Sequence, residues 1–190
     1  NYISRYKKTT ELEPSSEISQ HEFNRDVLIW FVRDLLAFEN VKKPGMIDFM
    51  KKFLQSKTLP VPSTLSGAAL NDLYVTVFTK IKEELATVRS ICVMADGWTD
   101  RYNGRSYVGI RISCVKNWEY RLFTLSCRTM PGSHTGHYLA EHIRLVLSKF
   151  FPDCRKLIIA SCHDGASNMM KSSQLLKVQS VQHCVAHALH

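Results

Sequence analysis

The sequence predicts an α/β chain: a mixed sheet of three antiparallel strands followed by parallel strands, flanked by helices and preceded by an all-helical region. Three observations carry that expectation. Residues 19–90 repeat apolar side chains three and four apart, the helical period. Residues 107–129 alternate apolar and polar side chains across a tight connection, the mark of a hairpin. Beyond 130, helical and strand-like stretches take turns, as parallel additions to a sheet require.

The elements follow in chain order. Residues 1–18 are polar, mixed in charge and carry Pro14, so they read as a linker or arm. From Ser19 a helix is expected, with Phe23, Val27, Trp30, Phe31, Leu35 and Phe38 in register. Ser19 and Glu22 have the spacing of a capping box, and Lys43-Pro44-Gly45 breaks this helix. A short helix is expected at 46–55, with Ile47, Met50, Phe53 and Leu54 on one side. Leu59-Pro60-Val61-Pro62-Ser63 reads as an extended turn. Ser63 or Thr64 then caps a long helix reaching about Val88, carried by Leu70, Leu73, Val77, Ile81 and Leu85. These helices hold no catalytic cluster.

After Arg89 the texture changes. Ile91–Ala95 makes a short buried strand. Tyr107–Val115 sends Val108, Ile110, Ile112 and Cys114 to one face, and Tyr107, Arg111 and Ser113 to the other. Tyr120–Thr129 repeats the pattern with Phe123, Leu125 and Cys127 inward, joined through Lys116-Asn117-Trp118. Tyr138–Phe150 is an amphipathic helix with Leu139, Ile143, Val146 and Leu147 inward. A buried strand at 157–162, a helix at 164–176, a short strand at 181–183 and a further helix from Cys184 complete the order. A right-handed crossover from the hairpin to a parallel strand lets the first and fourth strands lie side by side.

Composition bounds the function. Net charge is +8, and residues 101–130 hold Arg101, Arg105, Arg111, Lys116, Arg121 and Arg128 against Glu119 alone. A basic strand region points to a polyanionic partner, with nucleic acid the commonest; plain solvation of exposed strands is the bland alternative. The six cysteines form no C-x-x-C pair, and four sit in apolar strand-like runs, which fits reduced thiols of the cytosol or nucleus. No apolar run approaches a membrane span and no signal-peptide pattern stands at the first residues. The chain begins at Asn1 and ends at His190 within an expected helix, so it reads as a piece of a longer protein.

Two aspartates stand at the ends of apolar runs. Ile91–Ala95 leads into Asp96-Gly97-Trp98-Thr99, and Leu157–His163 into Asp164-Gly165-Ala166-Ser167-Asn168-Met169. Carboxylates at the rims of neighbouring strands are the minimum for holding Mg²⁺ or Mn²⁺ against a phosphate. The alternative for Asp164 is an N-cap, since Asp is favoured there. Trp98 is weighed as a packing residue against a base-stacking platform, and Asn168 as a ligand contact against a solvated side chain. Cys184 and His187 share a helical turn, but Cys162 and His163 point to opposite faces, so zinc is not expected and helix-to-sheet packing is.

In order, Asp96-Gly-Trp98-Thr99, Tyr107, Asp164-Gly-Ala-Ser-Asn168-Met169 and Cys184-Val-Ala-His187 resemble the D-x-W-T, D-N-A-x-N-M and C-x-x-H motifs of the hAT transposase superfamily. Leu59-Pro-Val-Pro-Ser63-x-Leu65 resembles the segment before the first aspartate, so the likeness covers roughly 60–190. It implies a ribonuclease H-like fold over 91–190, with Asp96 and Asp164 as the first two of three metal-binding carboxylates. The third, a glutamate, lies after a helical insertion in that family, and 165–190 contain no Asp or Glu. Gly165 stands where the family carries asparagine. Relatives domesticated from such transposons resemble nuclear DNA-binding regulators with upstream zinc fingers. The expected function is therefore a transposase-derived nuclear DNA-associated regulator, catalytically silent, contacting DNA phosphates through Arg101, Arg105, Arg111 and Arg128. The alternatives are an active transposase using Mg²⁺ or Mn²⁺, and a protein-interaction scaffold. Homo-oligomer or protein contacts are expected through regions outside this segment, with no membrane association.

Overall fold

A computed structural model describes residues 18–54, 56–132, 134–153 and 157–188. All of the expected 1–18 arm except Ile18 lies outside them, as does Cys154. The chain forms two compact units, Asn1–Phe78 and Thr79–His190.

The first unit is helical. Helix α1 (Gln20–Arg33) begins at the expected capping box: Ser19 accepts from the Glu22 N–H, and the Glu22 carboxylate accepts from the Ser19 N–H at 3.0 Å. Its Val27, Leu28 and Phe31 meet Val41 and Leu65 in the core of this unit. The helix stops at Arg33, well before Lys43-Pro44-Gly45, because a Schellman turn intervenes. Leu36 N–H donates to Phe31 C=O at 2.8 Å and Leu35 takes a left-handed φ of 53°. A 3₁₀ turn (Phe38–Lys42) follows.

Pro44 opens helix α2 (Pro44–Phe53) at its first turn, where a missing N–H costs nothing, so this proline starts a helix rather than ending α1. Met50 is buried, while Phe53, expected beside it, is exposed. The long helix expected from Ser63 is two helices, α3 (Pro62–Ser66) and α4 (Ala68–Leu85), and no side chain caps α3. Gly67 makes the break: a Cβ there would stand 2.9 Å from Ser63 O.

The second unit is built on five strands: β1 (Ile91–Thr99), β2 (Ser106–Lys116), β3 (Glu119–Thr129), β4 (Ile158–His163) and β5 (Ser180–His183). Their order is β3-β2-β1-β4-β5. The first three are antiparallel, and β4 and β5 add in parallel. This is the expected mixed sheet, with ribonuclease H-like topology. Helices α5 (Gly136–Ser148), α6 (Ser167–Leu176) and α7 (Val185–Ala188) alternate with the later strands.

Val108, Ile110, Ile112 and Cys114 of β2 are buried, as their alternation requires. They share a core with Val93, Leu139, Ile143 and Leu147. The Ser161 and Ser173 hydroxyls pair at 2.8 Å between β4 and α6, so this face of β4 looks toward α6. Asn117 and Trp118 close the β2–β3 hairpin with φ of 52° and 62°, the positive pair that matches strand twist. The inward series expected for β3 holds at Phe123 and fails at Cys127, which is exposed. A bulge is the reason: Ile110 pairs with Ser126 and Arg111 with Thr124, so Leu125 is extra and the faces invert beyond it. The Lys116 ammonium donates to Glu84 C=O at 2.7 Å, a cation on the last turn of α4. Among the described residues no helix is long and apolar enough to cross a membrane.

Candidate functional site

The two aspartates reach the same end of two adjacent strands. Asp96 lies inside β1, paired with Gly109 of β2, and not at the strand's exit as expected. On the other side, the parallel ladder with β4 closes at Met94 and Cys162, and Asp96 and Asp164 each lie two residues beyond that pair. Residues two apart on a strand share a face, so Asp96 emerges on the Cys92 and Met94 side. Both aspartates are exposed.

Asp164 does not cap α6, whose N-cap residue is Ala166. Its Oδ1 accepts from the Ala166 N–H at 2.9 Å, an Asx turn that shapes the β4–α6 loop. Gly165 has a φ of 85°, and a Cβ there would lie 2.6 Å from His183 Nδ1. The Gly165 N–H donates to His163 Nδ1 at 3.2 Å. Burial holds the His163 imidazole below its ordinary range, against the opposing pull of Asp164.

Cys184 and His187 flank the same rim. Their mutual hydrogen bond lowers the Cys184 thiol and raises the His187 imidazole. Asp96 and Asp164 both act on His187 in the same upward direction. The motif expected to serve packing thus also places an imidazole within the field of both carboxylates. Burial raises the thiols of Cys92 and Cys162, each further raised by a neighbouring thiol.

A small pocket of about 140 Å³ opens beside Asp164, lined also by Trp98, Tyr107, His134 and Asn168; Asp96 is not in its lining. Trp98 stacks on Tyr107, with centroids 5.6 Å apart at 16°, and remains 44% exposed. Its ring passes over Gly109, where an added Cβ would approach to 3.4 Å. Packing and a free aromatic face therefore coexist. Thr99 bonds Ser106 across the strands at 2.9 Å. Asn168 is structural: its amide donates to His134 C=O at 2.9 Å and its Oδ1 accepts from the Met169 N–H, tying α6 to the loop before α5.

The four arginines are exposed but not assembled into one patch. Arg101 and Arg105 lie in the β1–β2 connection at the aspartate end. Arg111 pairs with Met94, on the Asp96 face. Arg128 pairs with buried Val108, on the opposite face, and its charge adds to burial in lowering the His142 imidazole of α5. Among the described residues none of the four is ion-paired.

Among the described residues no three His, Cys, Asp or Glu side chains stand close enough to hold a metal ion. Asp96 and Asp164 alone do not complete a site for Mg²⁺ or Mn²⁺, which take several oxygens. Sequence reading weighs His183 only beside His187 as a zinc ligand and does not place its ring next to Gly165, because only the β4–β5 register brings them together. Compared with known proteins, the chain matches no family model and no curated protein.

Proposed function

We propose that this segment is the ribonuclease H-like part of a transposase-derived, DNA-associated nuclear protein, a transcription or chromatin regulator without transposition activity. One observation carries the reading: Asp96 and Asp164 stand at one level, each two residues beyond the last pair of the parallel β1–β4 ladder in a β3-β2-β1-β4-β5 sheet. The motifs resembling the hAT superfamily fall at that rim.

DNA is held through its phosphates by Arg101 and Arg105 at the rim, aided by Arg111. Guanidinium contacts to phosphate carry little sequence information, so binding is weak and general, with a Kd of about 10⁻⁴ to 10⁻⁶ M.

The test is fluorescence anisotropy with a random duplex across a salt series. Affinity should fall steeply between about 50 and about 200 mM salt, and R101E/R105E should flatten the log–log slope by about 0.9 per lost contact. Absent binding, or binding indifferent to salt, would leave the scaffold reading in its place. In the full-length protein, Mg²⁺-dependent nicking abolished by D96N would establish an active transposase.

A further inference from the structure

We propose that a cleft in the helical unit docks an acidic amphipathic helix of a partner protein. The cleft measures about 590 Å³ and lies between α2 and the Lys57–Val61 segment. Its floor is apolar, supplied by Val41, Met50 and Leu59, and among the described residues its lining includes Lys42, Lys51 and Lys57 but no acidic side chain. Over 41–61 the chain carries five lysines against Asp48 alone.

An apolar floor beneath a rim of one charge fits a ligand with the complementary division. A helix with an apolar stripe and carboxylates on its flanks satisfies both parts, since its stripe leaves water while its acids meet the ammonium groups. Duplex DNA would leave the floor unfilled, and among the described residues no aromatic ring lines the cleft for a base to stack on. Met50 adds an adaptable side chain to its lining.

The walls are fixed before binding. Gln20 of α1 grips Thr58 of the lining at both ends, donating to its C=O at 2.8 Å and accepting from its N–H at 3.0 Å. Pro60 and Pro62 restrict the wall that follows. A preformed wall lowers the ordering cost of association. Lys42 is held by Glu39 at 2.9 Å, while Lys51 and Lys57 have no ion pair among the described residues. Those two are the ammonium groups left to meet a ligand.

The experiment uses the full chain and a labelled synthetic peptide of about 16 residues, long enough to form a helix. It carries leucines in one stripe and glutamates elsewhere, and anisotropy reads its binding. K51E/K57E, with its helical content checked by circular dichroism, should weaken binding about tenfold or more. A peptide with the leucines changed to asparagine should not bind, a control that needs no protein variant. Unchanged affinity in K51E/K57E, or equal binding of the asparagine peptide or of one with lysine for glutamate, would overturn the proposal. Displacement of the probe by duplex DNA, lost in K51E/K57E, would overturn it in favour of nucleic acid.

Discussion

Gly165 follows the second aspartate, and its surroundings account for the glycine. Its φ of 85° is one that side chains rarely adopt, and His183 Nδ1 lies 2.6 Å from where a Cβ would be. Restoring the asparagine of the resembled motif should therefore destabilise the protein by about 1–3 kcal/mol. A chain of this length loses about 2–4 °C of Tm per kcal/mol. Thermal denaturation should show G165N melting lower than the parent, with G165N/H183A recovering part of the loss. An unchanged Tm in G165N would count against this account. The aspartates themselves were legible because each follows an apolar run. The Gly165–His183 contact was not, since it depends on which strand pairs with β4.

At the scale of elements, period and punctuation predicted what local chemistry controls. The Ser19–Glu22 capping box and the α5 stripe appear as their spacing requires. What escaped were irregularities imposed by backbone hydrogen bonding: the bulge at Leu125, the break at Gly67 and the early end of α1. Leu35 ends α1 at a φ of 53° and is 91% exposed, so it carries left-handed strain with almost no burial in return. Glycine at this position removes the Cβ penalty and gives back some entropy to the unfolded chain. L35G should raise stability by about 0.5–1 kcal/mol on balance. L35A, which keeps the Cβ, should not. Urea midpoints of the three proteins decide it, and equal shifts in both variants would remove strain as the cause.

At the scale of the molecule, the sheet order was legible because the hairpin and the crossover leave the first and fourth strands adjacent. The division into units was not, since it falls between Phe78 and Thr79 inside one continuous helix. Charge also acts at this scale: eight histidines sit on a chain already at +8. His142 and His163 are both held below their ordinary range, chiefly by burial, and each has a buried Nε2 with no hydrogen-bond partner among the described residues. In the unfolded chain each takes a proton near pH 6.5, roughly its free value, while the folded protein refuses it until lower pH. The unfolded state then binds more protons, so stability falls as pH drops through about 6.5 and levels off below the folded values. His187 is shifted the other way, but it is exposed and solvent screens its contribution. His142 stacks on Tyr138 with centroids 6.2 Å apart, a contact that phenylalanine keeps without a titrating nitrogen. The Tm should therefore decline between about pH 7.5 and about pH 5.5, and H142F should decline less steeply over the same interval. Parallel profiles for parent and variant would show that the imidazole of α5 carries none of the acid sensitivity.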